Sequence, residues 1–240
     1  MTAARIIKQL QAGGSQAAAD HAKGFFKTGV GEYGYGDQFI GVRVPRVREI
    51  AKENRDLSWP QTEKLLASRW HEARLCALHI LVLCFEAAKN DPQTQREIYE
   101  FYLASTQHIN NWDLVDCSAY QIVGGWLTPR SRAPLYKLAR SKSLWERRIA
   151  MMATWIFIRR GQFDDTMKLA KILINDEQDL IHKVSGWMLR EVAKRDEALV
   201  TDFLEQHGSS VPRTMLRYAI ERYSPQKRKR LLAGIPAGGR

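Results

Sequence analysis

W-H-E-A-R-L-C-A-L at Trp70–Leu78 and L-W-E-R-R-I-A-M-M at Leu144–Met152 read as two copies of one helical segment, pairing Glu72 with Glu146 and Arg74 with Arg148. Basic residues then recur at Lys183 and Arg213, 35 and 30 positions further on, and the 74-residue interval from Arg74 to Arg148 spans about two such units. A period of about 35 to 40 residues built from helix pairs implies stacking, because no single pair buries its apolar face alone. The repeat therefore predicts an all-α solenoid superhelix. Equivalent helices would line one concave basic face and present Arg148, Lys183 and Arg213 in a row.

The punctuation between these segments agrees. Ala3–Ala12 closes on Gly13-Gly14, and Ser15 caps a second helix that runs toward Lys27. Pro45, Pro60 after Ser58, Pro92 after Asp91, Pro129 after Thr128 and Pro225 after Ser224 each mark a helix start. Between them, Gly29–Gly41 holds five glycines among Tyr33, Tyr35 and Phe39 and reads as an ordered loop. No segment alternates convincingly as a strand. No linker or composition shift divides the chain, so residues 1–240 are expected to form one HEAT-like-repeat domain, with 225–240 as a C-terminal helix and basic tail.

Composition narrows the partner. Lys and Arg number 37 against 26 acids, a net charge of +11, which favours nucleic acid first and a membrane surface second. No apolar run reaches the roughly 20 residues of a membrane span, and the N-terminus lacks a secretory apolar region. Cys76, Cys84 and Cys117 are odd in number and form no C-x-x-C, which fits a reduced, cytoplasmic compartment without a disulfide framework. The six His show no metal-ligand spacing, so no metal is expected. The Gly-rich loop carries neither phosphate-loop nor dinucleotide spacing, so no nucleotide cofactor is expected either.

Two further stretches carry the candidate chemistry: N-W-D-L-V-D at Asn111–Asp116 and K-V-S-G-W-M-L-R at Lys183–Arg190. At 100° per residue Lys183, Trp187, Arg190 and Lys194 fall within about 60° of one another. Ile181, Val184, Met188 and Val192 take the opposite side, so the local core has no need of Trp187. Trp112 and Asp116, at i and i+4, also share a face. Asp113, in the first turn, is explained by the helix dipole. Trp70, Trp145 and Trp155 are expected to pack within their repeats. Arg148 and Arg159, 11 apart, share a face and suit a phosphate track. Together these residues suggest a surface for a polyanion, with one acid placed where positive charge develops.

From Phe25 to Tyr223 the chain resembles the HEAT-like-repeat DNA alkylation repair proteins, close to the AlkD-type alkylpurine DNA glycosylases. F-F-K-T-G-V-G-E-Y-G-Y-G-D-Q-F-I-G-V-R-V-P, the two repeat segments, N-W-D-L-V-D and G-W-M-L-R-E-V-A-K carry the resemblance, and the last two match in order. It implies that Asp116 is the catalytic carboxylate and that Trp112 and Trp187 flank the lesion nucleotide. It further implies that Arg148 and Arg190 bind the DNA backbone, and that the damaged base need not be flipped into a pocket. Two departures stand out: Asn111 replaces a further aromatic, and Phe25 replaces a Tyr near the DNA. The implied activity is monofunctional hydrolysis of the N-glycosidic bond of cationic N3- or N7-alkylated purines in double-stranded DNA, by a nucleoid-associated monomer without cofactor. Two alternatives stay open. One is a non-catalytic DNA-binding member that recognises distorted or branched duplex, and the other is a protein-interaction scaffold.

Overall fold

The computed structural model describes residues 1–234, and among these no strand occurs. The chain is all-α. Among the described residues the one sheet-type pairing is an isolated parallel bridge between Gln38 and Trp70. Residues gather into two compact units, Met1–Ile122 and Val123–Arg240. Residues 235–240 of the expected basic tail lie outside the described residues.

In the first unit the helix His71–Ala87 is the centre, with Val44–Glu53, Trp59–Leu66 and, more lightly, Ala3–Ala12 packed against it. Ile6, Leu10, Val47, Ile50, Leu65, Leu66, Leu78 and Leu81 meet there, essentially without solvent exposure. Ser15 caps its helix as anticipated, accepting from Ala18 N; Asp91, before Pro92, accepts from Thr94 N, and Thr2, which the sequence reading passed over, accepts from Arg5 N. The Gly-rich segment is an ordered loop. Gly41 sits at φ 83° with Ser15 O only 2.1 Å from where a Cβ would lie, so no other residue fits without moving the backbone.

In the second unit Asp179–Ala193 is the centre, packed by Leu144–Ala153, Asp164–Leu173, Glu197–His207 and, most closely, Arg213–Ala219. A Cβ on Gly186 would lie 2.5 Å from both Met215 O and Tyr218 Cβ, which is how that last helix comes so near. Pro225 begins the helix Pro225–Gly234 as expected.

Three sequence expectations need correction. Pro129 starts no helix: Gly125–Leu127 ends there, Thr128 Oγ1 donates back to Gly124 O at 2.9 Å, and the next helix is Ala133–Leu138 with Pro134 at its start. Arg148 and Arg159 share no continuous helical face, because Leu144–Ala153 stops at Thr154 before the short Trp155–Ile158 turn. The third is the repeat register. Arg74 Nη1 donates to Ser68 O and Arg69 O at 2.9 and 3.2 Å while Nη2 holds Asp37 at 2.6 Å. Arg147, not Arg148, reproduces that arrangement, donating to Ser141 O and Lys142 O at 2.9 and 3.0 Å and holding Asp176 at 2.6 Å. Helix starts explain the shift: Trp70 and Ser143 occupy the two N-cap positions, which aligns Arg74 with Arg147.

Candidate functional site

The N-W-D-L-V-D segment forms a five-residue helix, Trp112–Asp116, capped by Asn111, whose side-chain oxygen accepts from Trp112 N at 2.9 Å. A π turn, Tyr120–Gly124, follows closely. Such turns are rare and occur often at functional sites. Trp112 is half-buried against the first unit's aromatics. Phe26 stacks on it at 5.4 Å and 27°, and Phe25 meets it edge-on at 5.7 Å. Phe25 itself is 56% exposed, so the ladder runs from solvent inward. Asp116, the last helical residue, is half-buried. Beside it burial pushes the Cys117 thiol well up, and the charges of Asp113 and Asp116 add to that shift.

Behind this face lies a polar network that sequence reasoning missed. His71 is 2% exposed and places Nδ1 3.1 Å from Asp37 Oδ2 and Nε2 2.8 Å from Asp113 Oδ2. Asp37 also accepts from Arg74 at 2.6 Å, Asn110 at 3.1 Å and Asn111 at 3.2 Å. Phe26 and Phe39 cover the imidazole, each with its centroid 4.8 Å away. Burial alone would push the His71 pKa down; hydrogen bonding and charge from Asp113, then Asp37, outweigh it and raise the value to about 9. Asp37 moves the other way. Burial opposes its ionisation, but the His71 hydrogen bond and the Arg74 charge hold its carboxyl below the usual range. Next to it, Glu72 accepts from the backbone N–H groups of Ile40, Gly41 and Val42 at 2.9, 2.7 and 3.3 Å, fastening the loop to the start of the central helix.

Asp113 is thus more than a dipole partner in a first turn. Asn111 is equally committed: it is fully buried, bonded to Asp37, and 3.3 Å from where a Cβ of Gly34 would stand. An aromatic ring at this position has no room beneath the Gly-rich loop.

In the second unit the central helix divides as its periodicity predicts. Ile181, Val184, Met188 and Val192 are fully buried, and Lys183, Trp187 and Arg190 are partly open. Trp187 lies 6.0 Å from Trp155. The basic stripe is compensated in the free protein. Lys183 pairs with Asp179 at 2.8 Å, Lys194 with Glu191 at 2.7 Å, and Arg190 with Glu221. Arg213 is half-buried and donates to Leu232 O at 2.9 Å, and Arg159 is exposed. Arg148 is only 5% exposed and donates to Leu180 O at 2.9 Å, so its guanidinium braces helix packing. Trp70, Trp145 and Trp155, expected as packing residues, are half-buried like Trp112 and Trp187. Trp burial therefore does not separate the indoles expected to pack from those expected to face DNA.

Among the described residues no three His, Cys, Asp or Glu side chains are grouped to hold a metal ion, and no helix is long and apolar enough to cross a membrane.

The described residues are all-α and carry a Trp and a carboxylate on one short buttressed helix. Residues 6–223 match the family described as DNA alkylation repair enzyme, and the chain belongs to that family. A solved structure described as a "Predicted DNA alkylation repair enzyme from Enterococcus faecalis" shares the fold, with a TM-score of 0.68 at 16% identity, over 88% of this chain and 97% of that one. No curated protein matched in sequence.

Proposed function

We propose that the protein is a DNA glycosylase that hydrolyses the N-glycosidic bond of cationic N3- or N7-alkylated purines in duplex DNA, with Asp116 as its catalytic carboxylate. The observation that carries this reading is the Trp112–Asp116 helix in a DNA alkylation repair chain, half-open at both residues and braced from behind by buried charges. A purine alkylated at N3 or N7 already bears positive charge and leaves as a neutral base when C1′–N breaks. No general acid is needed, so one carboxylate suffices where ordinary glycoside hydrolysis uses two. Positive charge moves onto the deoxyribose. Asp116 opposes that charge and orients the water whose oxygen bonds to C1′, with the water's proton passing to the carboxylate or to solvent. At about 4 Å and an effective dielectric near 20 the attraction is roughly 4 kcal/mol, about a thousandfold in rate. Trp112 would offer its indole face to the sugar or the cationic base, and Trp187 is a further proposed contact to DNA. Phe25, Lys183, Arg190, Lys194, Arg159 and Arg213 are the proposed DNA contacts.

Incubating the protein with methylated duplex and measuring free 7-methylguanine and 3-methyladenine tests the reading. Release of either above the spontaneous rate supports it, and release of neither removes it. A second reading, a DNA binder without hydrolysis, is favoured by Asn111, which is spent on the Asp37 network and offers no aromatic surface. Duplex affinity with no base release would promote it.

A further inference from the structure

The Trp112–Asp116 helix is too short to hold its own orientation, since a five-residue helix has little intrinsic stability. What fixes it is outside it. Asp37 reaches the helix twice: through Asn111, whose side chain caps it, and through His71, which grips Asp113 in its first turn. Both ring nitrogens of His71 face a carboxylate oxygen. A neutral imidazole carries one N–H and would turn a lone pair toward the other carboxylate, whereas an imidazolium satisfies both contacts. The charges also balance, with Asp37 and Asp113 against His71 and Arg74. Losing the His71 proton leaves a net negative charge in a buried site and weakens the grip on the first turn. Phe26 lies between the imidazole and the Trp112 indole, so a change at the ring is passed to Trp112 by contact.

We propose that His71, clamped as an imidazolium between Asp37 and Asp113, is the positioning residue that sets Trp112 and Asp116 for base release, so that loss of its proton slows the reaction. This inference rests on the glycosylase reading. The charged groups facing His71 are Asp37 from the loop, Asp113 from the short helix, and Arg74 and Glu72 from its own helix. A cavity of about 110 Å³ beside the ring adds Arg43. From Val44–Glu53, Arg48 lies near enough to depress His79, which burial holds down at about 4 and so neutral throughout. His71 is therefore the group of this cluster that titrates on the alkaline side, near 9.

The test follows 7-methylguanine release from methylated duplex in single turnover between about pH 6 and 10, spontaneous loss subtracted. Alongside it, the ¹⁹F resonance of Trp112 is read in fluorotryptophan-labelled protein, assigned with Trp112→Phe. The wild-type rate should fall on the alkaline side with a midpoint near 9, and the Trp112 resonance should move with the same midpoint. His71→Gln should bind duplex within about twofold of wild type, release base roughly 10- to 100-fold more slowly, and lack both titrations. An unchanged rate and alkaline limb in His71→Gln overturns the proposal, as does a Trp112 resonance indifferent to pH. If wild type releases no base, the glycosylase reading fails, while the Trp112 titration still decides the positioning claim. If His71→Gln does not fold, the His71 ring ¹⁵N shifts of the unmutated protein decide it: double protonation at neutral pH supports the clamp, and a neutral ring overturns it.

Discussion

Asp113 and Asp116 stand three residues apart on one short helix, and the structure gives them different work. Asp116→Asn preserves shape and removes the charge set against the forming oxocarbenium ion. It should slow excision by about two to three orders of magnitude and leave duplex affinity unchanged or slightly higher. Equal excision by wild type and Asp116→Asn in single turnover would take the catalytic role away from that carboxylate. Asp113→Asn would cost only about 0.3–1 kcal/mol if the side chain merely faced a helix dipole. Because it holds a buried imidazolium at 2.8 Å, the expected loss is about 1.5–3 kcal/mol. The same pair sets a pH dependence. The His71 pKa is raised on folding from 6.5 to about 9, so its contribution is fully present below 6.5 and is lost as pH rises through 9. A shift of that size corresponds to a loss on the order of 3 kcal/mol. Asp37, whose pKa is lowered, acts in the opposite sense, and its contribution disappears on the acid side. Guanidinium unfolding midpoints at neutral and strongly alkaline pH, with His71→Gln as the flat control, measure the alkaline limb.

At the scale of elements, the sequence revealed what depends on local pattern and missed what depends on distant neighbours. The cap at Ser15 and the helix starts at Pro60, at Pro92 after Asp91 and at Pro225 are short-range chemistry and stand where the residues indicate. The apolar and open faces of Asp179–Ala193 follow from one helical period. Pro129 misled because a proline suits both a helix start and the turn after a helix end, and only the geometry at Thr128 distinguishes them. The repeat was legible but displaced by one residue, since apolar patterns tolerate a slip that N-cap geometry does not. The Asp37–His71–Asp113 array was illegible, its members lying 34 and 42 positions apart. Close approach was hidden too. Nothing around Gly186 announces that a Cβ there would meet backbone oxygen of the neighbouring helix. Gly186→Ala should accordingly destabilise the protein by about 1–3 kcal/mol despite Ala's better helix propensity. A melting temperature at or above wild type would show that Arg213–Ala219 gives way without penalty.

For the whole molecule, a net charge of +11 promises attraction to DNA, yet the stripe cations already have acidic partners. Phosphates must then compete with Asp179, Glu191 and Glu221, and each exchanged pair yields less than a bare cation would. The Lys183–Asp179 pair is exposed, of a kind worth about 0–1 kcal/mol, so exchange is easiest there, whereas Arg190 and Glu191 are mostly covered and hold their partners more firmly. Arg148 differs in kind. Its guanidinium is buried against Leu180 O, so Arg148→Ala should register first as lost stability, whereas Lys183→Glu and Lys194→Glu should leave the melting temperature close to wild type and weaken duplex binding. If Lys183, Arg190, Lys194, Arg159 and Arg213 are the cations that meet phosphates, about five displaced counterions give a slope of about −4.5 in log affinity against log salt. Each single charge reversal should flatten that slope by about one unit and weaken all duplex sequences alike. Anisotropy titrations of an unmodified duplex across a range of salt concentrations measure both quantities. A slope near zero, or an Arg148→Ala protein that is stable and yet fails to bind, would move the DNA contact away from the open side of Asp179–Ala193 and back toward Arg148.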